Sequence, residues 1–241
     1  RLLDLQSKEP EDLRSLTTLI YGAAPISPAR LGDLVKAFGP VFAQGYAATE
    51  AVMLLSLLGK ADHAGDDSLS RKRLASAGRV SPGIEIYAAD ESGASLPPGQ
   101  TGELMIRCRS LIKGYFQNPE GTAAEIVNGT WKSGDLGYID EDGYVFIVDR
   151  KKDMIISGGF NIYAVEVEAA IGSHPAVQMS AVVGIPHPEW GEAVHAEVLL
   201  RPGCSATAEE LIAHVKEHIG TYKAPKSVTL VMVPVISVPT R

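Results

Sequence analysis

Short apolar runs alternate with a helical segment over the first 60 residues, which is the rhythm of an α/β unit. Residues 16–21 predict a buried strand, and Ser27 followed by Pro28 predicts a helix that ends near Phe38. Residues 41–44 predict a second strand, which leads directly into the stretch GYAATE at 45–50. Since α/β folds place ligands just beyond the ends of their strands, this stretch is a candidate binding loop.

The pattern changes in residues 76–150, where strand-like runs alternate with Gly- and Pro-rich turns, so this part should be mostly β. The turn signal DEDG at 140–143 predicts a hairpin, because Asp-Gly tolerates positive φ. From Ala164 onward the pattern predicts a small α+β unit. The predicted strands are 84–88, 102–107, 144–148, 180–183, 195–200 and 228–233, and the predicted later helices are 164–171 and 208–219.

The two parts meet in the segment DRKKDMIISGG at residues 149–159. Three cations and two carboxylates within residues 149–153 are difficult to bury, so we expect solvated chain there. The glycine pair that follows marks backbone that another group approaches closely. We therefore place a domain boundary near Lys152.

Composition narrows the function classes. At 241 residues the chain is long enough for a medium domain and a small one, and we favour two domains. The net charge of −7 and the absence of a long basic run argue against nucleic acid as a partner. The longest apolar run, 51–58, is far shorter than the roughly 20 residues of a membrane span, and no signal peptide is recognisable. Two cysteines, Cys108 and Cys204, argue against a disulfide framework and fit a reducing cytoplasm.

Three groups of residues are candidates for chemistry. Thr49 and Glu50 set a hydroxyl beside a hard carboxylate oxygen, which suits a phosphate oxygen and Mg²⁺, although Thr-Glu also starts helices. The motif WKSGDLG sets Asp135 between glycines, where it could accept both hydroxyls of a ribose or lie in a surface turn. His214 and His218 have zinc-compatible spacing but no third ligand in the sequence, so we interpret them as a solvated helix face.

The order and spacing of the motifs favour the binding interpretations of Thr49, Glu50 and Asp135. GYAATE, GELMIRCRSLIKGYFQNPE and WKSGDLGYIDEDGYVFIVDRKKDMIISGGFNIYAVEVE follow one another as they do in the acyl-CoA synthetases of the adenylate-forming superfamily. The chain resembles that family from Thr17 to Val233, about nine-tenths of its length. The resemblance implies an α/β plus α+β fold. Residues 1–151 would be the C-terminal part of the large AMP-binding domain, with α/β and β-barrel-like subdomains, and residues 152–241 would be the small α+β domain.

The resemblance also implies roles for matching positions. Thr49 matches a phosphate-binding residue and Glu50 the Mg²⁺ ligand, and these are the expected catalytic residues. Tyr46 matches the aromatic residue that stacks on adenine, Asp135 the ribose-binding carboxylate, and Arg150 a cation near the ribose or phosphates. The remaining implied positions are the adenine- and acyl-side loop Gly22, Ala23 and Ala24, the hinge Lys152, and the CoA-binding residues Ser157, Gly158, Gly159, Trp190, Tyr222 and Lys226.

In such enzymes a carboxylate attacks the α-phosphate of ATP to give acyl-AMP and pyrophosphate, and the thiol of CoA then displaces AMP. The implied partners are therefore a small carboxylic acid, ATP with Mg²⁺, and CoA. Overall likeness to fatty-acid members favours a fatty acid. Two alternatives stay open: an adenylation enzyme that passes the acyl group to a carrier protein, and a non-catalytic nucleotide-binding module.

Some parts of the family pattern are missing or altered. The phosphate loop resembling S-G-T-T-G-x-P-K-G should precede Arg1, and the position of the adenylation lysine, counted from Pro234, is Thr240. We therefore expect a fragment with little or no adenylation activity of its own, and exposed apolar surface that favours association into oligomers. Ala47 replaces a frequent glycine, and Phe160 stands where many members carry Glu.

Overall fold

The structure is a computed structural model that describes residues 10–23, 26, 28–65 and 67–231, together with residues 3, 6 and 8. The chain divides into two compact units, one reaching to Ile147 and the other beginning at Val148. Each unit has its own core of buried apolar side chains. No helix in these described ranges is long and apolar enough to cross a bilayer.

The first sheet of the large unit has four strands in the order β1-β2-β3-β4. Strand β1 is connected to β2 by helix α1, and the two strands pair parallel. Strand β3 pairs antiparallel with both β2 and β4. Leu31 on α1 is fully buried and packs against Leu58, so the helix covers the sheet. The elements are β1 (Leu19–Gly22), α1 (Pro28–Phe38), β2 (Phe42–Ala48), β3 (Met53–Leu58), a 3₁₀ turn (Lys60–His63), α2 (Ser68–Leu74) and β4 (Arg79–Val80).

Strand β2 is longer than predicted. Residues 45–48 were expected in a loop after the strand, but the strand continues to Ala48 because β3 pairs with it there. Tyr46 therefore lies on a strand, with Ser56 of β3 opposite. Strand β1 begins at Leu19 and not at residue 16, since its parallel pairing with β2 begins at Phe42.

The second sheet of the large unit confirms that residues 76–150 are mostly β. Its order is β5-β6-β8-β7, with β9 pairing with β8. The DEDG turn is confirmed: Asp140 Oδ1 accepts the backbone N–H of Tyr144 at 3.0 Å, and Gly143 has φ +81°. The elements are β5 (Ile84–Ala89), β6 (Gly102–Cys108), α3 (Pro119–Glu125), β7 (Ile126–Val127), β8 (Thr130–Ile139) and β9 (Val145–Arg150).

Backbone hydrogen bonds join the two sheets of the large unit. The N–H of Ala77 donates to the carbonyl of Val145 at 2.7 Å, and the N–H of Val145 donates to the carbonyl of Gly78 at 2.9 Å. Ala51 and Leu55 from the first sheet share a core with Ile106 and Trp131 from the second. Residues on β2 and β8 are therefore held in fixed relative positions.

In the residues described up to 231, the small unit is one sheet with two helices. The sheet order is β11-β10-β13-β12, and β14 pairs parallel with β13. Thr207 and Glu210 form a capping box at the start of α5, which has the predicted bounds. Residues 232 and 233 of the last predicted strand lie outside the described residues. The elements are β10 (Ile155–Ser157), β11 (Phe160–Ile162), α4 (Ala164–Gly172), β12 (Val177–His187), β13 (Gly191–Leu200), α5 (Ala208–Ile219) and β14 (Ser227–Val231).

Candidate active site

A short hydrogen bond connects the two sheets of the large unit at the predicted nucleotide residues. The phenol of Tyr46 donates to Oδ2 of Asp135 at 2.5 Å, across 89 residues of sequence. Both side chains are half-buried. The structure thus brings together the residues that the resemblance assigns to adenine and to ribose.

A bulge in β8 places Asp135. Glu103 of β6 pairs with Leu136, but Met105 pairs with Lys132, so residues 133–135 of β8 lie opposite the single residue Leu104 and β8 carries two extra residues. The N–H of Asp135 donates to Oγ of Ser133 at 3.0 Å inside this bulge. Because a bulge redirects side chains out of the regular alternation, Asp135 can reach Tyr46. The alternative of a surface turn is wrong, since WKSGDLG lies within a ten-residue strand.

The turn after β2 carries Thr49 and Glu50. Thr49 is exposed and Glu50 is half-buried. The N–H of Ile112 donates to the backbone carbonyl of Glu50 at 2.8 Å, which fixes the main chain of the turn. The phenol of Tyr115 donates to Oε1 of Glu50 at 3.2 Å and also lies 3.2 Å from Oε2 of Glu125.

Electrostatics keep Tyr115 a donor. Burial, together with the negative charges of Glu50 and Glu125, raises the pKa of the Tyr115 phenol to about 12. The phenol is therefore protonated at physiological pH. Its one proton serves one carboxylate at a time, or is shared between both.

The oxygen atoms at this turn suit magnesium. Mg²⁺ prefers hard oxygen ligands and is usually held by one or two carboxylates, with water and substrate phosphates completing the shell. Glu50 offers such a carboxylate, and the Thr49 hydroxyl beside it can donate to a phosphate oxygen. Within the part of the chain that the structure describes, no cluster of three or more His, Cys, Asp or Glu side chains forms a candidate metal cage.

The predicted adenine-side loop follows β1. Gly22 is the last residue of β1 and pairs in register with Gly45, the neighbour of Tyr46. Ala23 follows with φ +69°, a left-handed conformation that turns the chain away from the strand. Ala24 lies outside the described residues. Two of the three loop residues therefore stand beside the strand that carries Tyr46.

The charged segment before Lys152 is only partly solvated, which corrects the expectation for Asp149. This residue is 5% exposed, and its carboxylate accepts the backbone N–H of Arg150 at 2.7 Å and that of Val165 at 3.4 Å. Burial raises the pKa of Asp149 although these backbone bonds act in the opposite direction. Arg150, at the end of β9, and Lys152, in the turn that follows, are exposed as expected.

Three of the predicted CoA-binding residues lie together in the small unit. The N–H of Gly158 donates to the carbonyl of Trp190 at 2.9 Å, and Nζ of Lys226 lies 4.7 Å from the centre of the Trp190 ring. His187 stacks on the same ring at 4.3 Å with an interplanar angle of 9°. Gly158 and Gly159 have φ +58° and +82°, conformations that favour glycine.

The other two side chains predicted to bind CoA, those of Ser157 and Tyr222, differ in exposure. Ser157 is buried at the end of β10, with 8% exposure. Tyr222 packs against Phe160 with ring centres 5.4 Å apart, and both rings are more than half exposed. Phe160, whose replacement of Glu had no interpretation from sequence, thus extends the aromatic surface beside Gly159.

The histidine pair has a third neighbour. His174 lies edge-on to His214 at 5.1 Å, and the rings of His214 and His218 are 4.1 Å apart. Nε2 of His214 forms a hydrogen bond of 2.8 Å with Oγ of Ser173. Burial, followed by the nearby imidazoles of His218 and His174, lowers the pKa of His214. The helix face is therefore a histidine cluster and not a set of independent solvated side chains.

Sequence reasoning missed Tyr115, Glu125 and His187. Tyr115 stands inside the quoted motif GELMIRCRSLIKGYFQNPE, but nothing in its neighbours indicates a partner 65 residues away. His187 carried no signal, because its ring meets Trp190 only across the turn between β12 and β13.

Comparison with known proteins assigns the family. The model of the family described as AMP-binding enzyme matches residues 1–116, and that of the AMP-binding enzyme C-terminal domain matches residues 166–235. Together the two matches cover about three quarters of the chain, in the expected order. The chain belongs to the AMP-binding enzymes. Membership in this adenylate-forming family confirms the resemblance stated from the motifs.

Curated relatives agree with this family. The chain is 41% identical over 237 residues to the medium/long-chain-fatty-acid–CoA ligase FadD8 of Mycobacterium tuberculosis. This match covers 95% of the present chain and 40% of FadD8. The chain is also 41% identical over 217 residues to a feruloyl-CoA synthase of Amycolatopsis sp, covering 90% and 43%. It is 37% identical over 215 residues to the fatty acid–[acyl-carrier-protein] ligase ScoC of Streptomyces coeruleorubidus, covering 89% and 41%. The chain thus spans about two fifths of the length of these relatives.

Solved structures confirm the fold class. The amide bond synthetase McbA from Marinactinospora thermotolerans superposes with a TM-score of 0.86 at 36% identity, covering 96% of this chain and 47% of that one. O-succinylbenzoate coenzyme A synthetase MenE from Bacillus subtilis, in complex with ATP and a magnesium ion, gives a TM-score of 0.82 at 31% identity, covering 95% and 46%.

Proposed function

We propose that the complete gene product is an AMP-forming acid–thiol ligase that converts a carboxylic acid to its CoA thioester. The hydrogen bond between Tyr46 and Asp135 is the observation that carries this proposal. It joins an aromatic ring suited to a purine with a carboxylate suited to a ribose, in the same unit as Thr49 and Glu50. Membership in the AMP-binding enzymes supports ATP as the nucleotide.

The large unit would serve the first half-reaction. The Tyr46 ring would stack on adenine while its hydroxyl orients Asp135, and Asp135 would accept the ribose hydroxyls. The substrate carboxylate attacks the α-phosphorus, the bond to the bridging oxygen breaks, and pyrophosphate leaves with the electron pair. Thr49 would donate to a phosphate oxygen, and Glu50 would hold Mg²⁺. When bound, that ion neutralises charge on the phosphates.

The small unit would serve the second half-reaction. The thiol of CoA attacks the acyl carbon of acyl-AMP, and AMP leaves as the carbon–oxygen bond breaks. Gly158 and Gly159 would border the thin pantetheine chain, where a side chain would obstruct it. Trp190 and Tyr222 offer ring faces for a purine, and Lys226 offers a cation for phosphate.

We further propose that Lys152 is the hinge between residues 1–151 and 152–241, and that Arg150 approaches the nucleotide. Both side chains are exposed, and the turn after β9 leaves the backbone at Lys152 outside any strand or helix. A dihedral change at such a position can swing a domain without breaking a sheet. The two cysteines, both free, support a cytoplasmic location.

A fatty acid of medium or long chain is the proposed substrate. The likeness to FadD8 supports this choice, while feruloyl-CoA synthase at the same identity makes an aryl acid the competitor. The likeness to ScoC favours one second candidate function, transfer of the acyl group to a carrier protein in place of CoA.

The test uses the complete gene product with ATP, Mg²⁺ and a panel of fatty acids and ferulate. We expect CoA-dependent release of AMP and formation of an acyl-CoA, detected by chromatography, with a fatty acid preferred. Asp135→Asn should impair AMP release, and Cys204→Ser, an exposed position in the other unit, is the matched control. Acylation of a pantetheinylated carrier protein but not of CoA would establish the second candidate. Failure to release AMP with any acid would refute both.

A further inference from the structure

Glu50 is held at two points by one short segment. The N–H of Ile112 binds the backbone carbonyl of Glu50 at 2.8 Å, and the phenol of Tyr115 binds its Oε1 at 3.2 Å. Both donors therefore come from four consecutive residues of the loop after β6. One of these bonds fixes the main chain and the other fixes the rotation of the carboxylate.

Tyr115 is itself anchored independently of Glu50. Its N–H donates to Oγ1 of Thr122 at 2.9 Å, and that hydroxyl donates to the carbonyl of Asn118 at 2.8 Å. The side chain of Asn118 accepts the N–H of Gly121 at 2.9 Å and caps α3. The phenol thus extends from a turn built by local hydrogen bonds, so its position does not depend on the partner it meets.

A second carboxylate competes for the same phenol. Glu125, at the end of α3, places Oε2 3.2 Å from the Tyr115 hydroxyl, the same distance as Oε1 of Glu50. Glu125 is exposed, whereas Glu50 is half-buried. Water can satisfy Glu125 if the phenol turns away, whereas the half-buried Glu50 is less accessible to water.

We propose that Tyr115 is a positioning residue for the metal-binding carboxylate of Glu50, with Glu125 as the alternative acceptor of the phenol. Holding one oxygen of Glu50 leaves the carboxylate a single orientation toward the metal. Partners that orient metal ligands in this way typically contribute about 10–100-fold to metal affinity. This inference rests on the proposed role of Glu50.

The experiment measures metal binding directly and needs no turnover. Free Mn²⁺ is titrated by electron paramagnetic resonance against the complete gene product in the presence of a non-hydrolysable ATP analogue. Tyr115→Phe should raise the Kd for Mn²⁺ about tenfold. Tyr87→Phe is the matched control, because the ring of Tyr87 packs on the Arg107 guanidinium, a contact that Phe retains, and it should leave the Kd unchanged.

Two further variants test the orientation itself. Thr122→Val removes the acceptor of the Tyr115 N–H and should raise the Kd for Mn²⁺ in the same direction, by a smaller factor. Glu125→Gln removes the second carboxylate that the structure describes at the phenol and should change the Kd for Mn²⁺ by less than about threefold. If Glu125→Gln raised the Kd for Mn²⁺ as much as Tyr115→Phe does, total charge and not carboxylate orientation would set the metal affinity, and the proposal would be overturned.

Turnover gives a second readout. At saturating Mg²⁺ the kcat of Tyr115→Phe should recover to within about threefold of the parent, while half-saturation by Mg²⁺ moves upward with the Kd. If Glu50→Gln leaves Mn²⁺ binding intact, the proposed role of Glu50 fails. If Glu50→Gln removes binding but Tyr115→Phe behaves like Tyr87→Phe, only the role of Tyr115 is refuted.

Discussion

The bond between Tyr46 and Asp135 should appear as a coupling free energy in unfolding of the large unit. Tyr46→Phe removes the hydroxyl and keeps the ring in the core beside Trp131, and Asp135→Ala removes the carboxylate. Because each substitution removes the same hydrogen bond, the double variant should lose it only once.

The magnitude follows from the geometry. A hydrogen bond to a charged group contributes about 1.5–3 kcal/mol, and the 2.5 Å distance places this one among the short bonds. Both side chains are half-buried, so water replaces part of the lost interaction and the lower end applies. We expect a coupling of about 1.5 kcal/mol, which corresponds to a shift of about 0.7 M in the urea midpoint if m is about 2 kcal/mol/M.

The chain contains two tryptophans, one in each unit, so fluorescence can follow the units separately. In a Trp190→Phe background, emission from the buried Trp131 reports on the large unit alone. Urea titrations of the parent, both single variants and the double variant complete the cycle. Additive losses, within about 0.3 kcal/mol, would show that the bond contributes nothing and would refute the reasoning.

Three further changes have distinct expected results. Because the folded state lowers the pKa of His214, the small unit should be most stable above pH about 6.5 and should lose stability as pH falls below it. His214→Gln should reduce this pH dependence of the urea midpoint, which Trp190 fluorescence reports. Because the folded state raises the pKa of Asp149, ionisation of this carboxyl destabilises the small unit as pH rises. Asp149→Asn should therefore raise the urea midpoint of the small unit at pH 7, and a lower midpoint would contradict this. Gly78→Ala should prevent soluble expression or cost more than about 4 kcal/mol of stability, because a Cβ would lie 2.0 Å from the carbonyl carbon of Leu57 and from the backbone nitrogen of Leu58. Gly83→Ala, with open space at similar φ, should cost about 1 kcal/mol in circular dichroism melts.

Elements with local signals were predictable from sequence. Helix α5 has its predicted bounds because the capping box at Thr207 and the helical pattern are written in adjacent residues. Strand β8 was not predicted, because its glycines resemble a turn unless β6 is known to pair with it. The continuation of β2 through Tyr46 likewise depends on β3, an apolar run whose pairing the sequence does not specify.

In the candidate site, too, local sequence signals were readable and tertiary contacts were not. Motif order made Asp135 and Glu50 candidates, since each residue type has its own chemistry, and their roles stay predictions. The contacts that orient them were not accessible, because Tyr46 meets Asp135 through a bulge and Tyr115 meets Glu50 across 65 residues. Residue types can be chosen from a sequence, whereas the hydrogen bonds that orient them arise from tertiary pairing.

The proposed hinge shows why such contacts matter for mechanism. Asp149 precedes Lys152 in the chain, yet its carboxylate accepts the N–H of Val165 in α4, which follows Lys152. A rotation centred on Lys152 must therefore break this bond, whereas a rotation beginning at Val148, where the compact unit begins, would keep it. Breaking it releases a buried carboxylate to water and separates it from Glu168, whose raised pKa reflects burial and also the charge of Asp149. In the proposed rotation, the loss of the hydrogen bond, worth about 1.5–3 kcal/mol, would be offset in part by relief of desolvation and repulsion, so the bond alone would overstate the free energy that the rotation costs.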